Sequence, residues 1–167
     1  VIEFEKKWSK WLGVKYSTFV NSGASANLIS INILKNLNSK KKEIILPAFT
    51  WSSDVVSVIN AGFKPIFVDI RFENLALNED LVKKRINKNT LAIFITHAMG
   101  FPGLTQTFIK FLKKKKIYLI EDACESHGAK VGNKKVGSLG DISNFSFYYG
   151  HHMTTIEGGM ISTNSKD

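Results

Sequence analysis

This sequence predicts an α/β fold of three layers, with helices on both faces of a mostly parallel sheet. Three observations carry the prediction. Short apolar runs recur along the chain with helical patterns between them, the alternation that strand–helix–strand units require. The runs IFV (66–68), LAIFI (91–95) and IYLI (117–120) are continuously apolar rather than alternating, as strands covered on both faces are. No repeat or low-complexity linker interrupts the 167 residues, which therefore read as one domain.

Each element has a local reason. Phe4, Trp8, Trp11 and Leu12 recur at helical spacing, and Gly13 stops that helix. Ser17 to Val20 is a short extended run. Ala26, Ile29, Ile33 and Leu37 mark a second helix opening at Ser22-Gly23. Ile44 to Leu46 is a buried strand stopped by Pro47. A helix over about Ser53 to Asn60 and a strand from Pro65 to Ile70 follow. Asn78 caps a helix through Ile86, with Glu79 in its first turn. Leu91 to Thr96 is a strand, Thr105 to Lys114 a helix, and Ile117 to Ile120 a strand. Two more strands, Ser143 to Tyr148 and Met160 to Thr163, complete the pattern.

Composition bounds the class. Hydrophobic residues make up 44% and charged residues 22%, the balance of a globular chain with a core. No apolar run approaches the roughly 18 residues that span a bilayer, and VIEFEKKWSKW lacks the apolar block of a signal peptide. One cysteine, Cys124, excludes an internal disulfide and suits a reducing cytoplasmic setting. The formal charge of +9 gathers in Lys40-Lys41-Lys42 and Lys113-Lys114-Lys115-Lys116, each closing a predicted helix, where the helix dipole favours cations. Aromatics do not interleave with these runs, so a nucleic-acid partner is not expected, nor is a membrane.

In open sheets of this kind, ligands bind beyond the carboxyl ends of the strands. NSGASAN (21–27) stands there, leading into the second helix. Small residues let backbone amides approach an anion, so Gly23, Ala24 and Ser25 read either as a phosphate cradle or as an ordinary helix cap. Trp51 follows a strand in a polar setting, as a stacking face for a planar cofactor or as packing. Glu121-Asp122 ends another strand, and a carboxylate there can pair with a protonated ring nitrogen or cap a turn. FSFYYGHHMTTIEGGM (145–160) sets His151 and His152 just past a strand, before Gly158-Gly159. Neighbours on an extended chain point oppositely, and no partner stands at zinc spacing, so no metal is expected. A histidine in such a turn can transfer protons. No GxGxxG follows a strand, against a dinucleotide site.

The ordered set NSG-x-SAN, LPAFTW, FVDI with NLALN, GFP, EDACESHGA, GSLGDISNFSF and EGGM resembles the nucleotide-sugar aminotransferase (DegT/DnrJ/StrS-like) family of fold-type-I pyridoxal-phosphate (PLP) enzymes, over essentially the whole chain. The resemblance implies that Gly23, Ala24 and Ser25 hold the cofactor phosphate, with Ser146 as a second phosphate ligand. It implies that Trp51 stacks on the pyridine ring, that Asp122 binds its nitrogen, and that Glu125, where most members have glutamine, faces the cofactor's oxygen side. It also implies that residues 1–167 are part of a large PLP-binding domain, that a smaller carboxyl-terminal domain lies outside this chain, and that the complete protein is a homodimer.

One departure changes the expected chemistry. The family's cofactor-binding lysine stands six residues before the acidic residue of the EGG turn. Counting back from Glu157 gives His151, and no lysine lies between Lys135 and Lys166. Imidazole cannot form the covalent link to the cofactor that a lysine amine forms. HH-x-T-x-x-EGG is similar to the sugar 3-dehydratase subgroup, in which the cofactor works as pyridoxamine phosphate (PMP) and a histidine is the base. His151 is therefore the expected catalytic residue, with His152 as alternative; His97 and His127 read as supporting or core groups. The function implied is 3-dehydration of a 4-keto-6-deoxy sugar nucleotide for deoxysugar and O-antigen polysaccharide synthesis, with glutamate as amino donor. A sugar aminotransferase of the same family and an inactive cofactor-binding scaffold remain as alternatives.

Overall fold

The computed structural model describes residues 1–37 and 40–166. Helices α1 (Ile2–Leu12), α2 (Gly23–Leu37), α3 (Ser52–Asn60), α4 (Glu79–Arg85) and α5 (Gln106–Lys115) accompany strands β1 (Tyr16–Val20), β2 (Glu43–Pro47), β3 (Lys64–Val68), β4 (Thr90–Thr96), β5 (Tyr118–Asp122), β6 (Lys130–Val131), β7 (Lys134–Lys135), β8 (Ile142–Ser146) and β9 (Gly159–Thr163). Seven strands form one sheet in the order β1-β9-β8-β5-β4-β2-β3. From β8 to β3 neighbouring strands are parallel. Only β9 runs against its neighbours, β1 and β8. The predicted sheet is therefore mostly parallel.

Side chains alternate across β4 and divide the core. Ala92 and Phe94 pack with Ile31 and Leu34 of α2 and Val58 of α3. Ile93 and Ile95 pack on the other face with Val82 of α4 and Phe108 and Leu112 of α5. Beyond β8, α1 sets Trp8 and Leu12 against Phe145, Phe147 and Met160. Phe94 is fully buried at the middle of the sheet, and truncating such a side chain to alanine costs about 3–5 kcal/mol.

Several local expectations shift. The buried face of α2 is Ala26, Asn27, Ser30, Ile31 and Leu34, while Ile29 and Leu37 are exposed. Asn27 and Ser30 are inside because they have hydrogen-bond partners there, so an apolar count misplaces the face. Strand β3 stops at Val68, and Ile70 makes an isolated antiparallel bridge to Leu77. Strand β5 runs through Glu121-Asp122, and β8 spans Ile142–Ser146, leaving Phe147 and Tyr148 past its end. The β6–β7 hairpin around left-handed Gly132 was not expected, nor was the short 3-10 turn Ala98–Gly100. Lys113–Lys115 close α5 as predicted, with Lys116 as its left-handed cap. Lys41 and Lys42 instead lead into β2; residues 38 and 39, between α2 and this run, lie outside the described set.

Asn78 caps α4, its Oδ1 accepting from the amides of Asp80 and Leu81. Glu79 is buried rather than solvated, and it accepts from Thr105 N–H at 2.8 Å and Thr105 Oγ1 at 2.9 Å. It thereby joins α4 to the start of α5.

Candidate active site

A cavity of about 340 Å³ opens beyond the carboxyl ends of β5 and β8, at the amino ends of α2 and α3. Gly23, Ala24, Trp51, Asp122, Glu125, Ser146 and His151 all line it. The chain supplies them from α2, the residue before α3, the β5 end, the following turn, the β8 end and the loop before β9. Of the residues singled out by sequence, Ser25 does not line it. The Ser25 amide donates to Ser22 Oγ at 3.1 Å, and its hydroxyl accepts from the same oxygen. Ser25 completes the helix cap, while the Gly23 and Ala24 amides, which an α-helix cannot satisfy internally, head the helix at the cavity.

Gly23 is required for the close approach of α2 to β8. A Cβ there would stand 2.6 Å from Ser146 Cβ and 3.1 Å from Cys124 Sγ. Ser146, buried at the end of β8, accepts from the Tyr148 amide through Oγ. An amide pair and a hydroxyl thus meet at one end of the cavity, a setting for an anion. Trp51, the residue preceding α3, keeps its ring half exposed at the mouth, available for stacking.

At the inner end stands Asp122, almost wholly buried. Its Oδ1 accepts from the Cys124 amide at 2.9 Å and its Oδ2 from Asn27 Nδ2 at 3.2 Å. Asn27 Nδ2 also donates to Asp54 Oδ1 at 2.7 Å. Burial, then the negative charge of Asp122, pushes the Asp54 carboxyl well above the usual carboxylate range. Burial and the same aspartate likewise raise the Cys124 thiol, so it lines the cavity as a neutral group.

The neighbour of Asp122 does something else. Period-two alternation turns Glu121 to the opposite face of the sheet. There it receives His97 Nε2 at 3.0 Å and the amides of Gly137, Leu139 and Gly140 at 2.6 to 2.9 Å. Burial alone would raise this carboxyl; the His97 bond and the Gly137 and Gly140 amides outweigh it and hold it below its ordinary range. His97 Nδ1 accepts from the Gly103 amide at 2.9 Å, which fixes a neutral imidazole with its proton on Nε2.

The loop between β8 and β9 carries the adjacent histidines. Phe147 closes its base, donating to the Gly158 carbonyl and accepting from Thr154 Oγ1 and the Thr155 amide. The His151 amide donates to the Tyr148 carbonyl at 3.0 Å, and its side chain reaches the cavity; His152 is exposed and does not line it. His127 lies behind both, its ring stacked on Phe147 and 6.4 Å and 6.1 Å, centre to centre, from His151 and His152. Burial, then those two histidines, lower it to about 4, so it is neutral at neutral pH. Glu125 Oε2 accepts from the Met99 amide at 2.9 Å, tying the cavity rim to the 3-10 turn.

Sequence reasoning missed Asn27, Ser53, Cys124, Tyr148 and Gly150 in the lining and Asp54 behind it. Asn27 had a signal: four residues after Gly23, it shares a helix face with it. Asp54, three residues after Trp51, had none that distinguished it from a solvated first-turn carboxylate. The assembled groups can hold a flat, cationic heteroaromatic ring with an anionic tail.

The chain is similar along its whole length to known proteins. The chain is 34% identical, over its full length, to GDP-4-keto-6-deoxy-D-mannose 3-dehydratase of Yersinia pseudotuberculosis, covering 44% of that protein. It is 35% identical over 97% of its length to GDP-perosamine synthase of Vibrio cholerae, again covering 44%. A crystal structure of GDP-4-keto-6-deoxymannose-3-dehydratase with a trapped PLP-glutamate geminal diamine superposes with a TM-score of 0.93 at 35% identity, over 99% of this chain and 44% of that one. The chain thus spans less than half the length of the relatives it matches. The pattern of the DegT/DnrJ/EryC1/StrS aminotransferase family matches residues 1–167, and the chain belongs to that family.

Proposed function

We propose that the protein carrying this chain is a PLP/PMP-dependent enzyme that removes the 3-hydroxyl from a 4-keto-6-deoxy sugar nucleotide. The observation that carries the reading is His151 on the wall of a cavity that also holds Asp122, Trp51, Gly23 and Ser146. The residues fit the group: a Cβ at Gly23 would fill the space beside Ser146, and the buried carboxyl of Asp122 lines the same cavity. As pyridoxamine phosphate, the bound cofactor supplies an amine that condenses with the 4-keto group and a ring that accepts electrons.

The chain's own groups divide the remaining work. The amides of Gly23 and Ala24 and the Ser146 hydroxyl bind the phosphate. Trp51 orients the ring by its face, and Asp122 holds a proton on the ring nitrogen, which keeps the ring electron-withdrawing. His151, on the cavity wall, would be the base that moves a proton at the cofactor's methylene carbon; an imidazole does this without tethering the cofactor. Glutamate is the proposed amino donor, supported by the glutamate adduct in the related crystal structure. A homodimer is proposed because Phe49, which shares a small pocket with Trp51, and Tyr149, in the histidine loop, stand exposed, apolar surface suited to a second copy. No described helix is long and apolar enough to cross a membrane, and a cytoplasmic site of action is proposed.

Amino transfer to the same class of sugar is the second reading, favoured by the identity to GDP-perosamine synthase. The deciding experiment gives the full-length protein pyridoxamine phosphate and a GDP-linked 4-keto-6-deoxy sugar. A 3-deoxy product is expected; an amino sugar would favour the second reading, and neither product would defeat both.

A further inference from the structure

Asp54 is completely buried in the first turn of α3, behind the cavity wall, and the proposed reaction does not use it. Its Oδ2 lies 2.5 Å from Thr50 Oγ1 and 2.9 Å from Thr96 Oγ1, and the two hydroxyls lie 2.6 Å from each other. Each oxygen–oxygen contact of that length needs a hydrogen between its atoms. The threonines bring two hydrogens for three contacts, and a carboxylate brings none. The third hydrogen is the acid proton of Asp54. One O–H then donates to the next around a closed ring of Asp54, Thr50 and Thr96, and every donor is satisfied.

The other carboxyl oxygen, Oδ1, accepts from Asn27 Nδ2 at 2.7 Å, and the same nitrogen reaches Asp122 Oδ2 at 3.2 Å. Asn27 Nδ2 also lies 3.4 Å from Ser53 Oγ. The groups facing Asp54 are Asn27 from α2, Thr50 before α3, Thr96 ending β4, and Asp122 and Cys124 at the end of β5; none is a cation. Burial beside a second carboxyl, with no cation to offset it, disfavours a second negative charge.

We propose, building on the reading above, that Asp54 is a positioning residue: as a neutral acid closed into the Thr50–Thr96 ring it holds Asn27, and Asn27 fixes the Asp122 carboxylate, so that one negative charge rather than two meets the bound ring. Asparagine can replace such an acid. Its Nδ2 would stand where Oδ2 stands and donate to both hydroxyls, its Oδ1 would still accept from Asn27, and the one hydroxyl hydrogen left over, on Thr50, would turn to the small pocket that Thr50 lines. Alanine cannot replace it, because it leaves Asn27 free to turn away from Asp122.

Two measurements on the full-length protein test this. Infrared difference spectra of wild type against Asp54→Asn, at neutral pH and without cofactor, should show loss of a protonated-carboxyl stretch; loss of a carboxylate stretch instead would overturn the neutral state. Absorbance titration with pyridoxal phosphate should give Asp54→Asn an affinity within about threefold of wild type, with the same pH profile. Asp54→Ala, folded by its circular dichroism, should bind about tenfold more weakly. Equal binding by Asp54→Ala, or equal loss in Asp54→Asn, would overturn the positioning role. No binding by wild type would overturn the assigned function together with the clamp, and the infrared arm still distinguishes that failure from a wrong protonation state. Should Asp54→Ala not fold, Asp54→Asn and the infrared arm decide alone.

Discussion

Glu121 and Asp122 are chemically similar neighbours with unrelated tasks, separated by the pleat of β5. Asp122 faces the cavity with two hydrogen-bond donors, Asn27 and the Cys124 amide. Glu121 gathers His97 and three loop amides on the far side. Their neutral amides should therefore fail differently. Asp122→Asn should weaken pyridoxal-phosphate binding by tenfold or more, on the order of a lost charge-assisted bond, at a stability cost of only about 1 kcal/mol, because its amide nitrogen would meet just one of the two donors. Glu121→Gln should lower stability by about 2–4 kcal/mol in urea titration, because one amide group cannot serve the same donors. The adjacent histidines allow a second residue-scale test, with a different readout. His151→Lys should make the cofactor reducible onto the chain by borohydride, located by peptide mass at position 151. The same change at His152, which does not line the cavity, should attach far less.

Helix α2 is the element on which the site turns. Its amino end presents Gly23 and Ala24 to the cavity, its second turn supplies Asn27, and Ser30 donates to Asn144 Oδ1 of β8 at 2.6 Å. The polar stripe replaces apolar burial that an ordinary covering helix would keep, and Ala26, Ile31 and Leu34 retain the packing. Gly23→Ala would add a Cβ into backbone-anchored Ser146, which cannot yield as a flexible side chain would. We expect a loss of about 1–3 kcal/mol in denaturant titration. Phosphate-competed cofactor binding should fall further, because the helix end must move away from β8. Equal binding in the alanine variant would show that the close approach is dispensable.

At the scale of the whole molecule, buried titratable groups make stability depend on pH in opposing ways. His127 is lowered to about 4, below the roughly 6.5 of an exposed imidazole. The unfolded chain then binds more protons in that window, so stability is complete above about pH 6.5 and is lost as pH falls toward 4. Glu121, also lowered, adds a loss as pH falls through its folded value, whereas raised Asp54 contributes stability that is lost as pH rises through its own. Replacing His127 by glutamine should flatten the acid limb of stability between about pH 4 and 6.5, a change of about 2–3 kcal/mol across it. Unchanged slope in urea titrations at both ends of that window would contradict the assignment.

The alternation of apolar runs and helices, the cap at Asn78 and the glycine-flanked histidine turn were legible along the chain because each rests on local chemistry: propensity, backbone freedom and residue spacing. The motif resemblance had already pointed to Asp122 and His151; tertiary structure alone decided that Glu121 holds His97 and three loop amides on the far face and that Ser25 serves the cap. It alone brought Asp54, Asn27, Thr50 and Thr96 around Asp122 from segments far apart in the chain. Burial and long-range hydrogen bonding are properties of the packed sheet, and no window of sequence contains both partners of such a bond.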